Sequence, residues 1–146
     1  MLGRQNFNLT EEELKLVFAL PHKAAYEPYV KAFQYKILNS ILYTNKKLFK
    51  IGDSEHDKCT FCDNESETLD HLFFYCSISN IFWTNFEKYL FTLTKKSLVL
   101  SVQDIILGIV TSPCPLMNYL ILVVSYIFGI ARESIYTRIL KVSTKN

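Results

Sequence analysis

Apolar residues recur at helical spacing in several separate stretches of the chain. Thr10 with Glu13 forms a capping-box sequence, which predicts the start of a first helix, and Pro21 is predicted to end that helix. A second helix is predicted over 29–42, where the apolar positions fall on one face and polar residues such as Lys31, Lys36 and Asn39 fall on the other. The pattern is therefore helical from the beginning of the chain.

Helical periodicity continues on both sides of a polar stretch, 53–68, that is rich in helix breakers. Before it, 45–51 is predicted to form a short helix ending at Gly52, since glycine readily takes the left-handed conformation of helix ends. After it, a helix is predicted over 78–91. Its large apolar side chains are predicted to form a core, namely Phe82, Trp83, Phe86, Tyr89 and Leu90.

The C-terminal part of the chain is markedly apolar. Ser101 with Asp104 predicts a cap before a helix over 105–110, and a long helix is predicted at about 116–140. Twenty-seven residues without charge separate Asp104 from Arg132. The dense part of this run is shorter than the roughly 20 residues that a membrane span needs, and polar residues interrupt it, so we predict a helix of a packed protein.

The composition of the chain limits the number of domains and the kinds of partner that can be expected. A chain of 146 residues with 49% hydrophobic residues and only four glycines and four prolines is typical of one compact domain. The net charge of +2 does not by itself indicate a nucleic-acid-binding protein, but the charges are unevenly distributed. Six lysines stand against one acid in 23–50, whereas seven carboxylates stand against one lysine in 51–76.

The clearest chemical signal is the spacing Cys-x2-Cys-x8-His-x4-Cys, formed by Cys59, Cys62, His71 and Cys76. Three thiolates and one imidazole complete the tetrahedral coordination of Zn²⁺ and leave no position for a water or a substrate. The pattern therefore predicts a structural zinc site and no catalytic metal. His56, three residues before the first cysteine, is the alternative imidazole ligand.

This spacing places demands on the backbone. Cys59 and Cys62 can share an ion only if the chain turns tightly between them, which predicts a short hairpin. His71 and Cys76 would lie about 140° apart on an ideal α-helix, so the helix is predicted to end or loosen near Tyr75. The predicted fold class is mainly α: a small helical domain with a short zinc-stapled hairpin.

The cysteines also bear on the compartment. Residues 1–13 contain no apolar core of the kind found in signal peptides, so a reducing environment is expected, in the cytoplasm, the nucleus or both. Cys114 stands between two prolines, apart from the other three cysteines, and is predicted to be a free thiol.

Several segments, in this order, closely resemble the zinc-binding domain at the C-terminal end of reverse transcriptases encoded by non-LTR (LINE-type) retrotransposons. The similarity covers at least residues 29–86. It is carried by Phe-Gln-Tyr-Lys-Ile-Leu at 33–38, Thr-Asn-Lys-Lys-Leu-Phe-Lys-Ile-Gly at 44–52, the Cys59–Cys62 pair, Glu-Thr-Leu-Asp-His-Leu-Phe-Phe-Tyr-Cys at 67–76, and Phe82-Trp83.

The resemblance implies an organisation and a role. It implies a domain over 29–92, flanked by helical segments 1–28 and 93–146, in which the same four residues hold zinc and Trp83 and Phe33 pack around the site. It also implies that the domain binds element RNA or target DNA and assists a polymerase encoded elsewhere in a longer polyprotein. No two aspartates are adjacent in this chain, so we expect no polymerase catalysis and no small-molecule substrate.

Two functions remain open from the sequence. Nucleic acid would be bound through phosphate contacts of five of the lysines in 23–50, with Tyr35, Tyr43 or Phe61 as possible stacking surfaces; these five are Lys31, Lys36, Lys46, Lys47 and Lys50. The alternative is a protein-interaction module whose apolar helix 116–130 docks on the polymerase portion.

Overall fold

The computed structural model describes residues 7–108 and 115–143, and Cys114 lies outside these ranges. The described chain is mainly helical, which confirms the predicted fold class. Its α-helices are α1 (Glu11–Ala24), α2 (Pro28–Leu38), α3 (Asn45–Ile51), α4 (Ser77–Thr94), α5 (Val102–Leu107) and α6 (Pro115–Ser143), with a π-helical turn at His71–Tyr75. Within the described residues, strand-like pairing is limited to one antiparallel bridge between Lys58 and Ser66.

The helix ends follow local chemistry. The capping boxes predicted at Thr10 and Ser101 are both formed, each closed by the acidic side chain three residues later. Gly52 ends α3 with a φ of 86°, as predicted, and Gly108 ends α5 in the same conformation, φ 72°. The α5 helix thus begins before the predicted residue 105 and ends before the predicted residue 110, because Gly108 in the left-handed conformation terminates it.

Two other predicted helix boundaries are wrong. Pro21 does not end α1 but lies buried inside it, and its carbonyl oxygen accepts the backbone N–H of Ala25 at 3.1 Å. Proline removes only its own N–H donor, so the helix continues for one more turn. The α2 helix stops at Leu38, short of the predicted residue 42, because Ser40 adopts a φ of 54°.

The core lies between α6 and the helices packed around it, α1, α2 and α5. One face of α6 is buried between residues 117 and 132, with the side chains of Met117, Ile121, Leu122, Ser125, Phe128 and Arg132. The opposite face carries exposed apolar side chains, including Leu116, Ile127 and Ile130. The predicted core of α4 is confirmed for Trp83 and Leu90, but Tyr89 is 56% exposed because it lies about 120° around the helix from Trp83.

One part of α6 would suffice to cross a membrane by length and composition alone. This stretch is Leu116–Ile135, with 20 residues and a mean hydropathy of 1.4. Buried positions make up 39% of its most apolar window. Core helices of globular proteins meet the same criterion, so this observation alone does not assign the helix to a membrane.

Gly129 of α6 lies directly against the ring of Phe33 on α2. A Cβ atom at this position would lie 2.3 Å from Cζ of Phe33, whose ring is itself packed against Phe73 and Tyr126. Atoms cannot approach so closely, so any larger residue must push the two helices apart or move the ring. The absence of a side chain at Gly129 is therefore what allows this packing.

We predict that Gly129→Val lowers the free energy of unfolding by about 1–3 kcal/mol, the usual cost of overpacking a core. Ser134→Val is the matched control, since Ser134 is exposed on the same helix and the change there costs only a few tenths of a kcal/mol in helix propensity. Denaturant unfolding at constant zinc concentration measures both. Equal effects of the two substitutions would contradict the packing argument.

Candidate metal centre

Cys59 and Cys62 lie on a tight turn closed by a minimal hairpin. The backbone N–H of Cys59 donates to the carbonyl of Glu65 at 2.8 Å, and the N–H of Glu67 donates to the carbonyl of Asp57 at 2.7 Å. Within the turn, Asp63 adopts a φ of 52° and its N–H donates to the carbonyl of Cys59 at 2.9 Å. The predicted hairpin is confirmed, and it brings the two thiols to the same side of the turn.

His71 and Cys76 are brought together by the π-helical turn. The N–H of Cys76 donates to the carbonyl of His71, five residues earlier, at 2.8 Å. A π-helical turn is wider than an α-helical one and aligns residues that are five apart. The predicted loosening near Tyr75 is confirmed, and the structure identifies its form.

The four side chains converge on one point. One ligand atom from each of Cys59, Cys62, His71 and Cys76 lies within 4.8 Å of every other. The Sγ atoms of Cys59 and Cys76 are 3.9 Å apart, and Sγ of Cys62 is 3.4 Å from Nε2 of His71. A tetrahedral Zn²⁺ with ordinary bond lengths requires about 3.8 Å between two sulfurs and about 3.5 Å between sulfur and nitrogen. The donor set therefore fits Zn²⁺ in both chemistry and size.

The imidazole of His71 is oriented by a carboxylate. Its Nε2 faces Cys62, while its Nδ1 lies 3.3 Å from Oε2 of Glu65, a residue that is mostly exposed. Such a contact fixes which nitrogen carries the proton and leaves the other free to bind a metal. His56, the alternative ligand, lies outside the group: it is exposed, and its Nδ1 accepts the N–H of Lys58 at 3.3 Å.

The two cysteines of the hairpin have different protonation behaviour. Burial raises the pKa of the Cys59 thiol to about 12. Burial also raises the pKa of the Cys62 thiol. Hydrogen bonds from the backbone N–H groups of Glu65 and Asn64 and from His71 outweigh this effect, so the pKa of Cys62 is lowered to about 6. Cys62 is thus the more readily deprotonated of the two, whereas Cys59 would have to release its proton to bind a metal.

Behind the hairpin lies a fully buried carboxylate, Glu67. Its Oε2 accepts the backbone N–H and the hydroxyl of Thr60 at 2.7 and 2.6 Å, and its Oε1 accepts the backbone N–H of Asn45 at 2.9 Å. The Nη2 atom of Arg132, on α6, donates to the same Oε1 at 2.5 Å and to the side-chain oxygen of Asn45 at 3.2 Å. Asn45 in turn donates to the carbonyl of Lys58 at 2.7 Å. The turn that carries the two cysteines is therefore held to α3 and to α6.

Sequence reasoning did not identify this network. In the sequence, Glu67 stands out only as the first residue of the segment 67–76, and Arg132 only as the residue that ends the uncharged run. The available signal was that Arg132 is the first charged residue after the apolar part of α6, since a cation buried there requires an anion as its partner.

Aromatic rings form a second link between α6 and the metal centre. Phe128 of α6 packs against Phe61 of the hairpin and Phe73 of the π-helical turn, with ring centroids 4.8 and 5.6 Å apart. Trp83 is buried next to Phe128 and its Nε1 donates to the carbonyl of Phe73 at 2.6 Å. Trp83 thus packs next to the site, and Phe33 does so through its contact with Phe73, as the resemblance implied. One side of the Phe61 ring is covered by Phe128.

We predict that breaking the Glu67–Arg132 pair from either side is costly. Glu67→Gln and Arg132→Met should each lower the free energy of unfolding by about 3–5 kcal/mol, since each leaves one buried charge without its counter-charge. The double variant should lose clearly less than the sum, because it removes both charges. Denaturant unfolding of the zinc-saturated protein measures the cycle, with Glu133→Gln on exposed Glu133 as a near-neutral control. Additive losses would contradict direct coupling.

Comparison with known proteins gives one family. A family model described as zinc-binding in reverse transcriptase matches residues 5–83, which is more than half of the chain and contains all four convergent ligand side chains. Searches of curated proteins and of solved structures gave no significant match. The matched segment, together with the convergent Cys3His group inside it, shows that this chain belongs to the family of zinc-binding domains of reverse transcriptases.

Proposed function

We propose that this chain is a zinc-stabilised accessory domain of a retrotransposon reverse transcriptase, a fragment of the longer protein, which binds element RNA or target DNA without catalysis of its own. The family match and the Cys3His group support the proposal for the reverse transcriptase and for zinc. A closed set of four protein ligands is typical of a structural zinc, which stabilises a fold and activates no water. The three cysteines within the described ranges form no disulfide and two of them are buried, in keeping with the proposed cytoplasmic or nuclear location.

The nucleic-acid contact is proposed for the lysines of α2 and α3. Lys36, Lys46 and Lys50 are exposed, and the last two lie one helical turn apart on the same side of α3. Phosphates are bound mainly by such solvent-exposed cations, whose counterions are released on contact. Lys31 is half-buried and is expected to contribute less.

Lys47 differs from the other four lysines. Its ammonium group donates to the backbone carbonyl of Ser40, and burial lowers the pKa of Lys47. This lysine therefore holds the loop between α2 and α3 in place, and a substitution there would confuse folding with binding. The exposed lysines are the better test of phosphate contact.

A second candidate function is docking on the polymerase portion. The observation that favours it is the exposed apolar face of α6, with Leu116, Ile127 and Ile130 about half or more exposed. Apolar docking would be insensitive to added salt or strengthened by it, whereas phosphate contacts weaken steeply as salt increases. A salt titration of partner binding thus separates the two functions.

Removal of the metal is predicted to unfold much of the domain, because structural zinc sites supply on the order of 10 kcal/mol towards folding. A chelator should release one zinc ion per chain and reduce the helical circular dichroism. His71→Ala and Cys62→Ser should act likewise, whereas His56→Ala and Cys114→Ser should retain zinc. Unchanged circular dichroism after chelation, or equal zinc loss from His56→Ala and His71→Ala, would contradict the assignment.

Binding of nucleic acid by the exposed lysines is predicted to weaken when their charge is reversed. Replacing Lys46 and Lys50 by Glu should weaken RNA binding by tenfold or more and reduce the salt dependence of binding, with zinc content unchanged. The matched control reverses two exposed lysines elsewhere, Lys88 and Lys96, which changes the net charge equally. Fluorescence anisotropy over a salt series measures both. Equal losses from the two double variants would show that only net charge matters, and no loss would favour docking.

A further inference from the structure

A cleft of about 380 Å³ opens between the end of α2, the loop that follows it, α3 and α6. Its volume falls within the range of pockets that hold small organic groups, roughly 300–1,000 Å³. It lies on the part of the chain that carries the proposed phosphate-binding lysines. The side chains that matter for its chemistry are Lys36, Ile41, Tyr43, Leu48, Glu133 and Thr137.

The inner surface of the cleft suits a flat ring. Ile41, Leu42 and Leu48 supply apolar side chains, and Tyr43 adds an aromatic ring that is 56% exposed. An exposed ring beside an apolar surface offers one face for stacking, and every nucleobase has a face that can stack on it. Among the three stacking candidates of the sequence, Tyr43 alone borders this cleft in the described structure.

The polar groups that line the cleft match the remaining parts of a nucleotide. Lys36 is an exposed cation and can pair with a phosphate. Glu133 would repel a phosphate, but its carboxylate can accept a hydrogen bond from a base amino group or a ribose hydroxyl. The hydroxyl oxygen of Thr137 can accept such a hydrogen bond as well. Arg132 also borders the cleft, but its guanidinium is engaged with Glu67.

We infer that the cleft beside Tyr43 binds one unpaired nucleotide of a single-stranded nucleic acid, with its base stacked on the Tyr43 ring and its phosphate at Lys36. The inference rests on the proposed nucleic-acid contact and specifies it. A base inside a duplex is already stacked on its neighbours and cannot enter such a cleft. The site therefore selects single strands, whereas lysines alone would bind any phosphate backbone.

The test compares two probes, a fluorescent oligouridylate of about 12 nucleotides and an abasic oligomer with the same ribose–phosphate backbone. The zinc-loaded full chain should bind the oligouridylate about tenfold more tightly than the abasic oligomer, a difference of about 1.4 kcal/mol, because one base stacks on the Tyr43 ring. Tyr43→Ala should abolish this preference and leave the affinity for the abasic oligomer unchanged. Tyr43→Phe should retain the preference, because it keeps the ring.

The matched control is Tyr35→Ala, because Tyr35 is 57% exposed, as Tyr43 is, but does not border the cleft. Its base preference should equal that of the unmodified chain. Equal binding of both probes, or equal losses from the two alanine variants, overturns the cleft assignment and leaves phosphate binding intact. Binding of neither probe overturns the proposed function as well. An oligodeoxyuridylate measured in parallel identifies which sugar the cleft accepts.

Discussion

The convergence of four potential metal-ligand atoms on a single point is the constraint on which the rest of this structure depends. A tetrahedral ion requires its ligand atoms to lie about 4 Å or less apart, and neither a regular α-helix nor an extended chain can supply that from these sequence spacings. The hairpin turn brings the first two cysteines together, and the π-helical turn brings His71 and Cys76 together. Both turns are locally irregular, and their own backbone hydrogen bonds hold them in the conformation that brings the four ligand atoms together.

The metal centre also depends on a support that lies outside it. Glu67 is fully buried and would be strongly unfavourable if its charge were not compensated. Its partners are the hairpin through Thr60, α3 through Asn45, and α6 through Arg132. A single carboxylate therefore joins the cysteine-bearing turn to the helix that forms the core. This arrangement makes the position of the turn dependent on the packing of α6. It also gives the buried charge of Arg132 its counter-charge.

The features that could be predicted from the sequence are those determined by interactions between residues close together in the chain. The caps at Thr10 and Ser101, the end of α3 at Gly52 and the loosening near Tyr75 all follow from residues within a few positions of each other. The errors arose where tertiary packing decides. Pro21 stays inside α1, where its ring is buried, and Tyr89 lies on the side of α4 that turns away from the core. The Glu67–Arg132 pair and the cleft beside Tyr43 join segments far apart in the chain, and no local pattern specifies such contacts.

The family match ends at residue 83, but the structure around the metal centre does not. Phe128 and Arg132, both on α6, pack against the hairpin and pair with the carboxylate behind it. Glu133 and Thr137 of the same helix complete the cleft whose other wall carries Lys36 and Tyr43. The C-terminal helix thus takes part both in supporting the zinc-binding turn and in forming the surface proposed to bind nucleic acid. Because Glu67 and Arg132 join the cysteine-bearing turn to α6, a shift of that turn would be transmitted to the helix that forms one side of the cleft.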